Sequence, residues 1–278
     1  MHKVHRRGNV LAYLLLSLGA LIILFPLYIC ITTTFKTPSE SAISFFTLPS
    51  SFYLGNYATV LADEKLYYAY QNTLMITICA LLLEFIIMPP MSYALSRSMG
   101  RSKPFRFLYF FFLMGIFLPF QVRMMPLVKL MGWFDLLKPS GMVLLYLAHA
   151  TCESTFLYVG YLATVSPSLE EAAYIDGAST FQNYTHVILP LMKPILATVL
   201  IREGLAIWND FQLPLVCLNR SQKFWTLTIY QNNFQSEYNV DYNLAFACLV
   251  VASLPIVIFY IIMQKQIIGG LTNGAVKG

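Results

Sequence analysis

Residues 10–31 read VLAYLLLSLGALIILFPLYICI, a run of 22 residues without one charged side chain. A helix needs about 20 consecutive, mostly apolar residues to cross ~30 Å of hydrocarbon, so this stretch is long enough to span a bilayer. Five further windows of the same character follow: Asn72 to Leu95, Phe105 to Phe120, Met142 to Leu162, Ile195 to Leu218 and Leu244 to Met263. The pattern predicts an all-α, polytopic membrane protein with six transmembrane helices. The third window, 16 residues long, is the shortest.

Composition points the same way. Of 278 residues, 58% are hydrophobic and 11% charged, whereas soluble globular chains are ~25% charged. So few charges cannot coat a particle of 31.6 kDa in water. The basic start (His2, Lys3, His5, Arg6, Arg7) resembles the n-region of a signal peptide. The apolar stretch behind it is too long for one, and no small-x-small cleavage site follows Ile31, so it is read as a retained helix.

Basic residues in short loops are held on the cytoplasmic side during insertion. With an inside amino terminus, ten Lys and Arg fall inside and seven outside, and the tail plus the Arg97 to Arg106 turn carry seven basic residues and no acid. Both termini are therefore expected in the cytoplasm. Retention of basic loops also accounts for the net charge of +5 without a nucleic-acid partner.

Motifs for chemistry are missing. The five cysteines all fall inside spans without a CxxC pair, and the four histidines (His2, His5, His149, His186) are scattered, so no disulfide frame or metal site is expected. There is no GxxxxGK[ST], HExxH or GxSxG, and nothing in the pattern points to an enzyme.

One loop stands apart. Residues 163–194, between the fourth and fifth spans, are too long for a hairpin and contain SPSLEEAAYIDGAS at 166–179. Ser168 and Glu171 have the spacing of a capping box, Pro167 suits a helix start, and Gly177 suits a left-handed stop. The predicted short helix presents Ala172 and Ala173, which have almost no side chain, between acidic residues: a surface for close docking of another backbone. A second short helix is expected from Thr180 to about Ile188, ending before Leu189-Pro190.

The run Glu171-Ala172-Ala173-x-x-Asp176-Gly177-Ala178, followed by Val187-Ile188-Leu189-Pro190, resembles the EAA signature of ABC-importer permeases, in which an acidic residue such as Glu170 often precedes it. Further segments are similar to the maltose-type carbohydrate permeases. They are Phe35-Lys36, Asn56-Tyr57, Asn72-Thr73, Pro119-Phe120-Gln121, Pro126-Leu127, Trp208-Asn209-Asp210-Phe211, Pro214-Leu215 and the carboxyl-terminal Gly270 to Gly278. The resemblance covers essentially the whole chain.

The resemblance implies a type I ABC-importer transmembrane domain over residues 1–278, in a bacterial plasma (inner) membrane. It implies half of a heterodimeric pore completed by a second related permease subunit. Two ATPase subunits would dock below, and an extracytoplasmic sugar-binding protein would deliver sugar from above. ATP and Mg would belong to the ATPase, with no cofactor in this chain. The loop 163–194 would hold the coupling helix, giving Glu170, Glu171, Ala172, Ala173, Asp176, Gly177, Ala178, Leu189 and Pro190 an ATPase-coupling role. The tail residues Asn273, Gly274 and Lys277 would reach the ATPase.

Five ionisable residues lie at membrane depth: Glu84, Glu153, Arg202, Glu203 and Asp210. Such residues are costly in lipid and normally face a partner or a cavity. At ~1.5 Å rise per residue, Glu84, Glu153, Arg202 and Glu203 could share one layer. Neighbours on a helix diverge by ~100°, so Arg202 and Glu203 are not expected to face one partner, and Arg202 is expected to pair with Glu153 or Glu84. Arg202 is either one half of a structural ion pair or a constriction in the pathway. Sugars are bound by aromatic faces and by amide or carboxylate hydrogen bonds, which makes Gln121, Trp208, Asn209, Asp210 and Phe211 candidates for the substrate pathway. The competing reading, a stand-alone secondary sugar transporter or channel, calls for inverted repeats or a coupling-ion site. No repeat between the two halves is visible, and the docking loop would be left without a purpose.

Overall fold

The computed structural model describes residues 4–237 and 241–275, and among them every regular element is helical. In order these are α1 (Val4–Thr34), α2 (Pro38–Ile43), α3 (Gly55–Leu61), α4 (Glu64–Ser98), α5 (Lys103–Ile116), α6 (Phe120–Trp133) and α7 (Pro139–Leu162). Then come α8 (Ser168–Ile175), α9 (Thr180–Asn183), a π-helical turn (Tyr184–Ile188), α10 (Leu189–Leu191), α11 (Lys193–Asn209), α12 (Gln212–Leu218), a 3₁₀ turn (Gln222–Phe224), α13 (Leu227–Glu237) and α14 (Tyr242–Ala275).

Among the described residues, four helices are long and apolar enough to cross a membrane: α1, α4, α7 and α14. Two bent pairs bring the count to six when each is taken as one span: α5 with α6, bent by 107°, and Thr180–Leu191 with α11, bent by 71°. Two expected windows are therefore not continuous helices. The third was expected to run from Phe105 to Phe120, but α5 ends at Ile116 and the chain turns at Pro119, which has no N–H to extend the helical ladder. The fifth, Ile195 to Leu218, breaks after Asn209. There Asp210 takes extended backbone, and its Oδ1 accepts the amides of Gln212 (3.0 Å) and Leu213 (3.4 Å), starting α12 afresh.

The chain forms two compact units. One comprises Met1–Leu66 and Tyr230–Leu254. Within it the last carbonyls of α1, left without intrahelical partners, are taken up by two buried amides. Asn56 Nδ2 donates to Thr34 O and Lys36 O, each at 2.9 Å, and Asn243 Nδ2 donates to Thr33 O at 3.0 Å and Lys36 O at 2.8 Å. Lys36 itself is fully buried, and its amine donates to Ser44 O at 2.9 Å. The side chains of α1 between Val10 and Leu27 are mostly exposed, as befits a helix whose solvent is not water.

The other unit comprises Tyr67–Ile229 and Pro255–Gly278. Its core gathers Met88 and Tyr93 of α4, Tyr158 and Leu162 of α7, Ile188 of the π turn, Met192, and Leu196 and Val199 of α11. This cluster ties the loop to three long helices and sets the position of everything that follows.

Candidate functional site

The loop begins where α7 ends. α8 forms over Ser168–Ile175, but the expected Ser168/Glu171 capping box is absent. Pro167 is the N-cap, Ser168 is already the first helical residue, and the Ser168 hydroxyl pairs with that of Ser166 at 2.8 Å. Backbone carbonyls of Ser166 and Pro167 take the first amides instead. A capping box does form one helix later, between Ser179 and Gln182 at the start of α9.

The other end of α8 is as expected. Gly177 has φ +83°, the left-handed region that costs an L side chain strain. The Ala178 amide reaches Ala173 O at 2.9 Å and the Gly177 amide reaches Tyr174 O at 3.1 Å, the two bonds of a Schellman stop. Glu171, Ala172, Asp176 and Gly177 are exposed, and Ala173 and Ala178 are half-buried. Two large apolar side chains stand in the open beside them: Ile175 is 86% exposed and Phe181 74%. Neither residue belongs to the expected docking set, although a large apolar side chain in a loop between spans is the kind of signal that marks a contact surface.

Glu170 faces the opposite way. It is 7% exposed, and its carboxylate accepts from Tyr93 Oη at 2.7 Å and Arg97 Nε at 2.6 Å, so it binds α8 to α4. The helix beyond α9 does not end before Leu189-Pro190 as expected. It passes through a π turn, where Leu189 N bonds Tyr184 O, and continues to Leu191. Pro190, which lacks an N–H for the next rung, is exposed, while Leu189 packs against the core cluster. Of the tail set, Lys277 lies outside the described residues, and for Asn273 and Gly274 only the backbone of α14 is described.

At membrane depth the ionisable residues do gather. Arg202 Nη2 bonds Glu153 of α7, as expected, and also Glu203 Oε1 at 2.7 Å. The second contact joins two neighbours that the helix angle sets ~100° apart: a long, forked guanidinium bends back over one residue where a short side chain could not. Glu84 of α4, 1% exposed, accepts from Ser154 Oγ at 2.5 Å.

Next to this layer lies a cavity of ≈ 310 Å³ lined by Phe120, Arg123, Tyr146, His149, Glu203, Asn209, Asp210 and Gln212, among others. Asp210 orders its wall: Oδ2 accepts from Tyr146 Oη at 3.0 Å, and its carbonyl accepts from Thr228 Oγ1 at 2.7 Å. Arg123 Nη2 lies 3.0 Å from His149 Nδ1. A guanidinium has donors only, so Nδ1 is the acceptor and the ring proton sits on Nε2. Asn209 and Asp210 thus line the cavity as expected. Trp208 does not; it is buried beside an apolar cleft of ≈ 320 Å³ with Leu74, Gly204 and Phe259. Gln121 is exposed on the first turn of α6 and Phe211 is half-buried, and neither lines the cavity. Arg123, Tyr146 and His149 were missed, because they meet across folds of the chain that hydropathy does not report.

Residues 88–271 match a family described as binding-protein-dependent transport system inner membrane component. The chain is 41% identical, over the full length of both, to the multiple sugar-binding transport system permease protein MsmG of Streptococcus mutans. It is 38% identical, again over both full lengths, to a probable starch degradation products transport system permease protein, AmyC, of Thermoanaerobacterium thermosulfurigenes. Among solved structures, a chain of a bacterial ABC transporter involved in import of the acidic polysaccharide alginate has the same fold. The TM-score is 0.84 over 95% of this chain and 98% of that one, at 24% identity.

Proposed function

Because the chain belongs to the family of binding-protein-dependent transport system inner membrane components, we propose that it is the permease subunit of an ATP-driven sugar importer. The carried class is oligosaccharides, in keeping with the starch degradation products of the AmyC system and the multiple sugars of the MsmG system. The observation that carries the coupling assignment is α8: a short helix stopped at Gly177 that presents Glu171, Ala172, Ile175 and Asp176 outward while Glu170 holds it to the bundle.

In this reading a second, related permease completes the pore, and two ATPase subunits receive α8 and its counterpart from the cytoplasm. An extracytoplasmic binding protein presents the sugar, and both termini of this chain lie in the cytoplasm of a bacterial inner membrane. ATP and Mg are held by the ATPase. ATP favours the closed ATPase pair because it binds that state better. Closure moves both docked helices, and the spans re-pack between inward-open and outward-open arrangements, as a bistable packed interface does.

The cavity beside Asp210 supports a passage for hydroxyl-rich cargo, since it combines donors (Arg123, Tyr146) with acceptors (Asp210, Asn209). The test is reconstitution of the chain with its partner permease, ATPase and binding protein in proteoliposomes, followed by uptake across a panel of oligosaccharides. ATP-dependent uptake is expected. Sugar transport by this chain alone, without an ATPase, would overturn the reading.

A further inference from the structure

Three helix ends meet at one guanidinium. Arg97 lies in the last turn of α4, and its Nε donates to Glu170 Oε1 at 2.6 Å in the first turn of α8. Its Nη1 and Nη2 donate to Leu162 O (3.1 Å) and Val165 O (3.2 Å), at the carboxyl end of α7. Each charge sits where a helix end favours it: the carboxylate at an amino end, the guanidinium against orphan carbonyls at a carboxyl end. Tyr93 adds a third hand, donating to the other oxygen of Glu170 at 2.7 Å. The acid is 7% exposed, so this group is shielded from solvent and its hydrogen bonds are charge-assisted.

The connectivity makes the junction informative. α7 runs into α8 through a short stretch of chain, but Arg97 and Glu170 are 73 residues apart. α4 follows the loop only through non-covalent contacts. Apolar packing in the core cluster resists separation yet lets surfaces slide; short charged bonds with fixed donor and acceptor directions hold a register. Rotating α8 about its axis, or pulling it outward, must carry Arg97 and Tyr93 with it or break their bonds.

We propose that Glu170 is a positioning residue and that the Arg97–Glu170 ion pair is the link that passes displacement of α8 to α4. This rests on the importer reading above. It also divides the two adjacent acids of the loop: Glu171 faces outward, and Glu170 transmits inward.

The experiment is a double-mutant cycle on the reconstituted complex with Arg97→Gln, Glu170→Gln and the pair together. It reads sugar imported per ATP hydrolysed, binding-protein stimulation of hydrolysis, and ATPase co-purification. A merely structural role would lower the amount of complex and leave the imported-to-hydrolysed ratio alone. The link predicts full ATPase co-purification, a drop in the ratio of about tenfold in each single variant, and no further drop in the double one. Where Arg97→Gln fails to accumulate, Tyr93→Phe keeps the ion pair, removes one donor and should give an intermediate drop. Wild-type ratios in the single variants, additive losses in the double one, or loss of the ATPase from Glu170→Gln would overturn the link. No stimulation in the unmodified complex would overturn the importer reading along with it.

Discussion

The Tyr146 hydroxyl donates to the Asp210 carboxylate across 3.0 Å, at the point where the fifth apolar stretch of the sequence breaks into α11 and α12. The same carboxylate caps the amides of Gln212 and Leu213, so one side chain holds the break open and fixes a wall of the cavity. Asp210→Ala removes a cap, which costs about 1 kcal/mol, and orphans a buried hydroxyl, which costs ~1–3 kcal/mol. Asp210→Asn keeps an acceptor and should cost less. Thermal unfolding of the purified protein in detergent should rank them wild type, Asn, Ala; equal midpoints for all three would count against this role.

Arg202 serves two acids, and Glu203 is 3% exposed. Arg202→Leu leaves Glu203 as a buried carboxylate without its cation, so the accumulated level of folded protein should fall sharply. Arg202→Leu with Glu203→Leu removes charge and counter-charge together and should recover much of it. Glu153→Gln, which leaves Arg202 its second acid, should be the mildest of the set. A double variant no better than Arg202→Leu alone would show that the ion pair is not what the site needs.

Gly141 and Gly160 lie on the same helix, α7, and predict opposite outcomes. A Cβ at Gly141 would stand 2.0 Å from Leu136 O, a backbone atom that cannot swing aside. A Cβ at Gly160 would meet nothing within 4 Å. Gly141→Ala should therefore destabilise strongly, whereas Gly160→Ala should stabilise by up to about 1 kcal/mol through helix propensity. Unfolding midpoints of the two variants decide the matter, and a tolerated Gly141→Ala would refute the close contact.

Glu40 sets a pH window in the stretch that follows α1. The Ser50 hydroxyl, then the Thr37 and Ser50 amides, bond its carboxylate and hold its pKa down to about 2, from an ordinary 4.5. A depressed acid contributes stability above its unfolded value, so the contribution is complete above 4.5 and is lost as pH falls through about 2. Amide hydrogen exchange in nanodiscs should show Thr37 and Ser50 protected from neutral pH down to that window, with Glu40→Gln less protected throughout. Protection that already fades near neutral pH, or an unchanged profile in Glu40→Gln, would contradict the assignment.

Legibility in the sequence followed the range of the interaction. The membrane helices could be read because hydropathy sums over many neighbours, and the stop at Gly177 because a left-handed cap is a one-residue signal. The break at Asp210 could not, since a span-length average hides one carboxylate turning back on two amides. The capping box was placed one helix too early: Ser168-x-x-Glu171 and Ser179-x-x-Gln182 look alike in sequence, and Pro167 decides between them by starting α8 a residue sooner. Glu170 and Glu171 are indistinguishable as letters. Which one faces inward depends on Arg97, 73 positions away, and Arg123 with His149, 26 apart, is the same case.

If α8 couples this chain to an ATPase through its outward face, Glu171→Lys and Gly177→Asp should each uncouple it. Glu171 is exposed, and Gly177 alone among the described residues of α8 and its caps has a positive φ. Both variants should insert and fold, because neither position belongs to the core cluster, a Cβ at Gly177 meets nothing within 4 Å, and Asp is among the residues that best tolerate a left-handed φ. The measurement is binding-protein-stimulated ATP hydrolysis by the reconstituted complex. Stimulation should be lost in both variants while the chain remains in the membrane at wild-type level; undiminished stimulation in both would rule out coupling through α8.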